Sequence, residues 1–405
     1  MDITYWYGPP RKFLTPETYE DVKNAGFTIA GPMESTGSSV EENLRFLDIC
    51  QEKGMKACIY DQRIDLAMIK YRDGEADWDQ TLKRVTEDYK HHKALYSYYI
   101  TDEPQTGMFK MLGAIVGKLR EYDPQHPGYI NLLPNYATPE QYGSPTYYDH
   151  VKEYIETVKP AFVSYDHYHF LHFTHDQLPE GYEVEETADE RENAIRRSAM
   201  VSIDRAGFFE NLEIVRSLCR QYGLPFMVIV LLIEHGPYRN LTEAELRFEA
   251  FQTLTYGASM LSYFTYWTVI EPGSWWNWKN GCISCEGEKL QHYYDVQKIN
   301  RELHTYAAYL DGKKSLSVSH YGEIREKVER FTGNILSDKP VQLTIGAFEG
   351  GYTAIANKDF QQEAVFSMDF EGQAERLDLE KNRFLQFDTN HIVIKPGDMA
   401  LIRIK

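Results

Sequence analysis

Residues 95–104 read Leu-Tyr-Ser-Tyr-Tyr-Ile-Thr-Asp-Glu-Pro. The apolar and aromatic run predicts a buried β-strand, and Pro104 must end it because proline cannot donate to a sheet ladder. The strand therefore closes on two carboxylates, Asp102 and Glu103. A second apolar run, residues 226–233, leads directly into Glu234. Since the carboxyl ends of parallel strands carry the chemistry in α/β folds, we expect both acids at the same edge of one sheet.

Strand and helix patterns alternate eight times over residues 1–312. Short apolar runs predict strands buried on both faces, at 3–7, 27–31, 56–60, 95–101, 128–133, 161–165, 226–233 and 260–267. Capping signals and terminal glycines predict helices at about 15–26, 39–53, 77–92, 108–122, 147–158, 206–222, 242–256 and 289–310. This alternation predicts a (β/α)8 TIM barrel. A doubly wound sheet would need a glycine-rich loop after the first strand, and Gly8-Pro9-Pro10 is not one.

The pattern changes to a period of two after Gly312. It predicts short antiparallel strands at 315–319, 341–347, 352–356, 363–370, 391–394 and 400–404, separated by turn residues. We therefore expect two domains, a catalytic barrel at 1–312 and a small C-terminal antiparallel β-sandwich at 313–405. One long segment, 167–205, interrupts the barrel rhythm with acidic runs at 183–186 and 189–192. Two interpretations stay open for it: a loop that shapes substrate binding, and a solvated insertion.

Composition restricts the partners. The formal net charge of −18 argues against nucleic acids and anionic membranes, which require a basic face, and against strongly acidic polysaccharides. The 30 tyrosines suit surfaces that are apolar on one side and hydrogen-bonded on the other, as in sugar sites, although an aromatic core would also use them. No apolar run of about 18 residues and no signal region is present, which predicts a cytoplasmic protein or one whose signal has been removed. The oligomeric state stays open.

No metal or cofactor is expected. Cys282 and Cys285 form a lone C-x-x-C, without the second cysteine pair or histidine pair that completes a zinc site. The ends of the predicted strands also lack a phosphate-binding glycine loop with lysine, and a nucleophile elbow around serine. They are instead acidic, aromatic and rich in amides, with Glu34 just past the second strand.

Paired carboxylates point to glycoside cleavage. One carboxylic acid must protonate the leaving oxygen, while one carboxylate attacks the sugar or activates water. The fourth and seventh strands of an eight-stranded barrel lie across the mouth from each other, which favours Glu103 as acid/base and Glu234 as nucleophile. Glu103 could instead serve a salt bridge or helix cap, and Glu234 could pair with Arg239 or His235. Asp166 competes with Glu234 as the second carboxylate.

Further rim residues are candidates for binding a sugar. They are Asp166, Tyr168, Asn131, Trp267, Asp61, Trp6, Asp102 and His167. Trp267 and the loop tryptophans Trp275, Trp276 and Trp278 could stack their indoles on sugar C–H faces, and core packing is the alternative, chiefly for Trp267.

The chain resembles the clan A glycoside hydrolases, most closely the barrel domain of family 42 β-galactosidases and their bacterial relatives. The likeness is specific around residues 101–104, 164–168 and 263–267. It implies a retaining mechanism with Glu103 as acid/base and Glu234 as nucleophile. The clan usually has asparagine, in contact with the sugar 2-hydroxyl, where this chain has Asp102.

We therefore expect a glycoside hydrolase without a cofactor, which cleaves a neutral, β-linked glycan. The alternatives are a catalytically silent carbohydrate-binding barrel and a metal-dependent sugar isomerase or lyase. An Asp/His/Glu rim of the kind found here would suit the last of these.

Overall fold

The computed structural model describes residues 1–32, 39–174, 177 and 188–405. Glu34 and the acidic run 183–186 lie outside these residues. The described residues before 265 contain ten strands, in the chain order β1 (Asp2–Trp6), β2 (Ile29–Ala30), β3 (Lys56–Ile59), β4 (Leu95–Asp102), β5 (Gly128–Leu132), β6 (Val163–His167), β7 (Phe170–Phe173), β8 (Val201–Asp204), β9 (Phe226–Leu231) and β10 (Met260–Phe264).

The α-helices of the described part are α1 (Pro16–Asn24), α2 (Val40–Glu52), α3 (Gln62–Arg72), α4 (Trp78–Tyr89), α5 (Phe109–Tyr122), α6 (Pro139–Tyr142), α7 (Tyr147–Val158), α8 (Glu190–Ser198), α9 (Phe208–Tyr222), α10 (Glu243–Thr255) and α11 (Gln291–Leu310). Single 3₁₀ turns lie at Arg11–Phe13 and Thr106–Met108. Three of the α-helices begin at complete capping boxes, at Ser39, Thr138 and Thr242.

Eight parallel strands form the barrel, in the order β1-β10-β9-β6-β5-β4-β3-β2. The ends of this sheet meet where the Thr28 amide donates to the Ile3 carbonyl at 2.9 Å. The predicted TIM barrel is therefore confirmed. Most predicted strands have the right position, and several end earlier than expected, since β9 ends at Leu231 and β10 at Phe264.

Strand alternation separates two apolar regions in the barrel. Ile3 and Tyr5 of β1 point outward into the large core between the sheet and the helices. Trp6 points inward, with its ring centroid 5.3 Å from that of Tyr99 and 6.2 Å from that of Tyr129. These inward side chains come from strands all around the sheet, so they fill the barrel interior below the rim.

The segment 167–205 contains structure that the sequence pattern did not indicate. Strands β7 and β8 pair as an antiparallel hairpin, and α8 lies between them in the chain. Arg239 fastens this hairpin, since its guanidinium donates to the carbonyls of Leu171 and Ile203 and pairs with Glu245 at 2.6 Å. Helix α3 was also not predicted.

The remaining strands are β11 (Ser315–Tyr321), β12 (Ile335–Leu336), β13 (Leu343–Phe348), β14 (Tyr352–Asn357), β15 (Ala364–Met368), β16 (Ala374–Asp378), β17 (Arg383–Gln386), β18 (Ile392–Ile394) and β19 (Met399–Ile404). They form a six-stranded antiparallel sheet, β11-β13-β14-β19-β16-β17, and a three-stranded sheet, β12-β15-β18. An apolar cluster lies between the two sheets. The opposite face of the larger sheet joins the barrel core, where the Tyr306 hydroxyl of α11 donates to the Met399 carbonyl.

Candidate active site

Strand β4 delivers two carboxyl groups to the mouth of the barrel. It ends at Asp102, and Glu103 adopts a left-handed backbone with φ of +46° before Pro104. The Glu103 amide still donates to the Asn131 carbonyl of β5 at 2.9 Å, so the turned residue stays attached to the sheet. A non-glycine residue in this region costs about 1–2 kcal/mol, and strain of this kind concentrates at functional sites.

Asn131 of β5 organises the carboxyl groups of the two neighbouring strands, β4 and β6. Its side chain is 2% exposed and donates to Asp102 Oδ1 at 3.1 Å and to Asp166 Oδ1 at 2.9 Å. Its own oxygen accepts from Ser164 Oγ at 2.8 Å. Because both amide protons are used, Asn131 holds the two aspartates in fixed positions on either side of it.

Glu103, Asp102 and Asp166 form an electrostatically coupled cluster. Asp102 and Glu103 are exposed to solvent at the mouth, and protein atoms lie close around the rest of their carboxyl groups. This burial raises the pKa of Asp102 to about 6. Burial, and next the charge of Asp102, raise the pKa of Glu103 to about 7. The cluster therefore holds a carboxyl group that is partly protonated at neutral pH, as a general acid requires.

Asp166 is the innermost of the three acids, at 4% exposure. Burial, then the charges of Glu103 and Asp102, hold its pKa well above its usual range. Its carboxyl group also interacts with that of Glu103, and this interaction partly offsets the rise in the Glu103 pKa.

Glu234 lies three residues past the end of β9, on a different wall of the mouth. It pairs with the loop that follows β10: its amide donates to the Lys279 carbonyl at 3.0 Å, and the Lys279 amide donates back at 2.9 Å. The carboxylate accepts from Asn280 Nδ2 at 2.8 Å. Within the described part of the chain, no hydrogen bond or ion pair joins Glu234 to Glu103.

Aromatic rings line the wall between these acids. Tyr168, a predicted binding residue, lies with its ring centroid 5.1 Å from that of Phe264 and 5.4 Å from that of Tyr238. The guanidinium of Arg205 lies 3.8 Å from the ring centroid of Tyr136 and donates to the Tyr168 carbonyl at 3.2 Å. The sequence analysis did not identify Tyr136, Tyr238 or Arg205, because all three lie in loops without a motif.

Two predicted binding residues do not reach the mouth. Asp61 is 2% exposed and caps α3, where it pairs with Arg63 at 2.7 Å and accepts from the Tyr89 hydroxyl. Burial would raise the pKa of Asp61, but these hydrogen bonds outweigh burial and lower it. His167 follows the inward-facing Asp166, so strand alternation turns it outward, against Phe208. It is fully buried, and burial keeps its pKa well below the usual value.

The two predicted tryptophans lie below or behind the rim. Trp6 belongs to the interior aromatic layer described above, with its side chain half-buried. Trp267 is 2% exposed, and its ring is covered by Phe13, whose centroid lies 4.6 Å away. The indole of Trp267 is therefore covered by protein, whereas that of Trp6 keeps part of its surface exposed. Asp102, Asn131, Asp166 and Tyr168 are the predicted binding residues that surround Glu103.

Residues 1–32, 39–174, 177 and 188–405 contain no group of three or more His, Cys, Asp or Glu side chains arranged to hold a metal ion. Over the same residues, no helix has both the length and the apolar character that crossing a bilayer requires.

Comparison with known proteins agrees with the architecture. No family model matches the chain, and no curated protein matches it in sequence. A β-galactosidase from the Antarctic haloarchaeon Halorubrum lacusprofundi superposes with a TM-score of 0.57 at 10% identity, over 100% of this chain and 99% of that one. A family 5 glycoside hydrolase from Bacteroides vulgatus superposes with a TM-score of 0.56 at 10% identity, over 99% of this chain and 89% of that one.

A β-galactosidase from the psychrophilic Marinomonas ef1 superposes with a TM-score of 0.50 at 12% identity, over 76% of this chain and 60% of that one. This chain therefore spans about three fifths of the Marinomonas enzyme. At these identities the likeness shows the fold. It is a fold that these solved glycoside hydrolases share.

Proposed function

We propose that the chain is a glycoside hydrolase that cleaves a neutral, β-linked glycan with retention of configuration. The observation that carries the proposal is Glu103, a carboxyl group at the barrel mouth whose pKa is raised to about 7. A group with that pKa can protonate a leaving oxygen near neutral pH and later deprotonate water. We also propose that the chain is related to the family 42 enzymes. It would then consist of two domains, a catalytic barrel at 1–312 and a β-sandwich at 313–405.

Glu234 is proposed as the nucleophile. It lies three residues past the end of the seventh barrel strand, β9, is half-buried, and is oriented by Asn280. The hydrogen bond that fixes its Oε2 leaves Oε1 to face the sugar, with Lys279 Nζ at 3.9 Å. A carboxylate held in this way needs no proton transfer to attack an anomeric carbon.

Asp166 suits a positioning role better than the role of second catalytic carboxylate. Retaining enzymes separate their two carboxyl groups by about 5 Å, and inverting enzymes by about 6.5–9.5 Å, because a sugar or a water must fit between them. Asp166 is buried and its carboxyl group interacts directly with that of Glu103, which leaves no room for a sugar between the two. We propose that Asp166 orients Glu103, that Asp102 and Tyr168 contact the sugar, and that the buried Asn131 holds Asp102 and Asp166 in place for these roles.

The test is hydrolysis of a panel of 4-nitrophenyl and 2,4-dinitrophenyl α- and β-glycosides by the wild-type chain and by Glu103→Ala. We expect turnover of a neutral β-glycoside that falls at least 100-fold in the variant. Azide should restore turnover only for the activated substrate, the 2,4-dinitrophenyl glycoside. Its leaving group departs without protonation, so the variant lacks only the base that activates water, and azide can replace that water. Glu380→Ala, which removes an exposed acid remote from the mouth, should behave as the wild type.

Three results would contradict the proposal. Equal activity of Glu103→Ala and the wild type would remove Glu103 from catalysis. Turnover lost on addition of a chelator would favour the metal-dependent isomerase or lyase. Binding of a glycan without turnover of any panel member would favour a catalytically silent carbohydrate-binding barrel.

A further inference from the structure

A continuous row of aromatic side chains runs from the mouth of the barrel to the solvent. We call it the aromatic row, and its members are Tyr168, Phe264, His235, Trp278, Trp276 and Trp275. Neighbouring ring centroids are 5.1 Å apart for Tyr168 and Phe264, and 5.5 Å apart for Phe264 and His235. His235 stacks on Trp278 at 4.4 Å with an interplanar angle of 20°. The row then continues from Trp278 to Trp276 at 6.0 Å.

The outer part of the aromatic row is fastened to the segment that carries Glu234. Besides the paired hydrogen bonds between Glu234 and Lys279, the Gly236 amide donates to the Trp276 carbonyl at 2.7 Å. Gly236 has φ of +48°, and a Cβ there would lie 2.5 Å from the Trp276 ring. The indole of Trp278 donates to Glu271 at 2.9 Å. These contacts hold the tryptophans in a fixed position beside the proposed nucleophile.

Trp275 ends the row and is 72% exposed. One of its faces stacks on Trp276, with ring centroids 3.9 Å apart, so the opposite face meets solvent. Large aromatic side chains usually bury most of their surface, and an exposed indole that the surrounding protein holds in place suggests a binding surface. Its continuity with the barrel mouth distinguishes it from scattered surface apolar residues.

We propose that Trp275 binds a pyranose unit of an extended glycan at a distance from the bond that is cleaved, so that the enzyme prefers oligosaccharides to short glycosides. This inference rests on the proposed function and specifies its substrate class. A pyranose presents flat C–H faces to an indole while its hydroxyls remain hydrated. The neighbouring acids Glu234 and Glu271 and the net charge of −18 favour a neutral chain over an anionic one.

The experiment compares Trp275→Ala with the wild type on neutral β-1,4-linked gluco-, manno- and galacto-oligosaccharides of about two to six units. The measured quantity is the ratio of kcat/KM for the hexasaccharide to that for the disaccharide. We expect this ratio to exceed unity in the wild type and to fall about tenfold in the variant, which corresponds to about 1.4 kcal/mol of binding. Trp275→Phe should retain part of the preference for the hexasaccharide. Leu336→Ala removes another exposed apolar side chain, 64% exposed and remote from the mouth, and should leave the ratio unchanged.

The other outcomes distinguish a failure of this inference from a failure of the proposed function. A wild-type ratio near one, or a Trp275→Ala ratio equal to it, would overturn the role of Trp275 while leaving glycoside hydrolysis intact. A variant that changes only the elution volume in gel filtration would show that Trp275 joins copies of this chain instead. If nothing is hydrolysed, calorimetry of the same hexasaccharides with Glu103→Gln decides: binding that Trp275→Ala weakens supports the inference without the activity, and absence of binding overturns it.

Discussion

Replacing Asp102 by asparagine should move the alkaline limb of the pH–rate profile toward lower pH. The proposed acid, Glu103, must be protonated to act, so kcat/KM falls as the pH rises through its pKa of about 7. Asp102 is ionised at that pH, because its own pKa is about 6. Its negative charge favours the protonated form of Glu103, and asparagine removes the charge while it can still accept the hydrogen bond from Asn131.

The magnitude follows from the causes of the raised pKa. Burial and Asp102 together raise the pKa of Glu103 from 4.5 to about 7, and burial is the larger cause. Asp102 therefore accounts for less than half of the rise, and we expect the limb to move from about pH 7 to about pH 6. A movement of about one pH unit corresponds to about 1.4 kcal/mol, or nearly tenfold less protonated acid above pH 7.

The assay is kcat/KM against pH, from about 4 to 9, on a 4-nitrophenyl glycoside that still requires protonation of the leaving group. Asp73→Asn removes the same charge at the far end of α3 and should leave the limb in place. An Asp102→Asn limb that coincides with that of the wild type, in a protein of unchanged melting temperature, would refute the coupling between the two carboxyl groups. A limb that moves toward higher pH would refute the sign of the effect.

Three further outcomes concern stability. Glu103 binds its proton more tightly in the folded chain than at its usual pKa of 4.5, so its contribution to stability falls as the pH rises from about 4.5 to about 7. Glu103→Gln should therefore raise the free energy of unfolding by about 1 kcal/mol at pH 8, after allowance for solvent access, and leave it unchanged at pH 4, as urea titrations at both values would show. Arg239→Ala should lower that free energy by about 3 kcal/mol, because it strands a buried carboxylate and two carbonyls of the β7–β8 hairpin; a loss below about 1 kcal/mol would contradict this. Gly236→Ala should displace Trp276 and shift tryptophan emission, whereas Gly223→Ala, with φ of +69° but no atom within 4 Å of the new Cβ, should lower stability without the spectral shift.

Local signals in the sequence were sufficient to predict the barrel. Capping boxes, terminal glycines and short apolar runs act over a few residues, so they mark where helices begin and strands lie without knowledge of the fold. They also identified the carboxyl ends of the strands, and with them Glu103. Helix α3 was not predicted because its first turn is capped by Asp61. An acid at the end of a strand was interpreted as a site residue, so its role as a helix cap was overlooked. The hairpin β7–β8 escaped because its fastening residue, Arg239, is distant in the chain.

The arrangement around Glu103 was decided by tertiary structure. The sequence by itself determined that acids, amides and aromatics collect at one rim, because parallel strands share a direction. It did not determine which of two adjacent residues faces inward: Asp166 lies beside Glu103, and His167 is turned into the core. Nor did it show that Asn131 joins Asp102 to Asp166, or that Glu234 is oriented by Asn280. These contacts, and the raised pKa of Glu103, arise only when barrel closure brings distant strands together and removes water from between them.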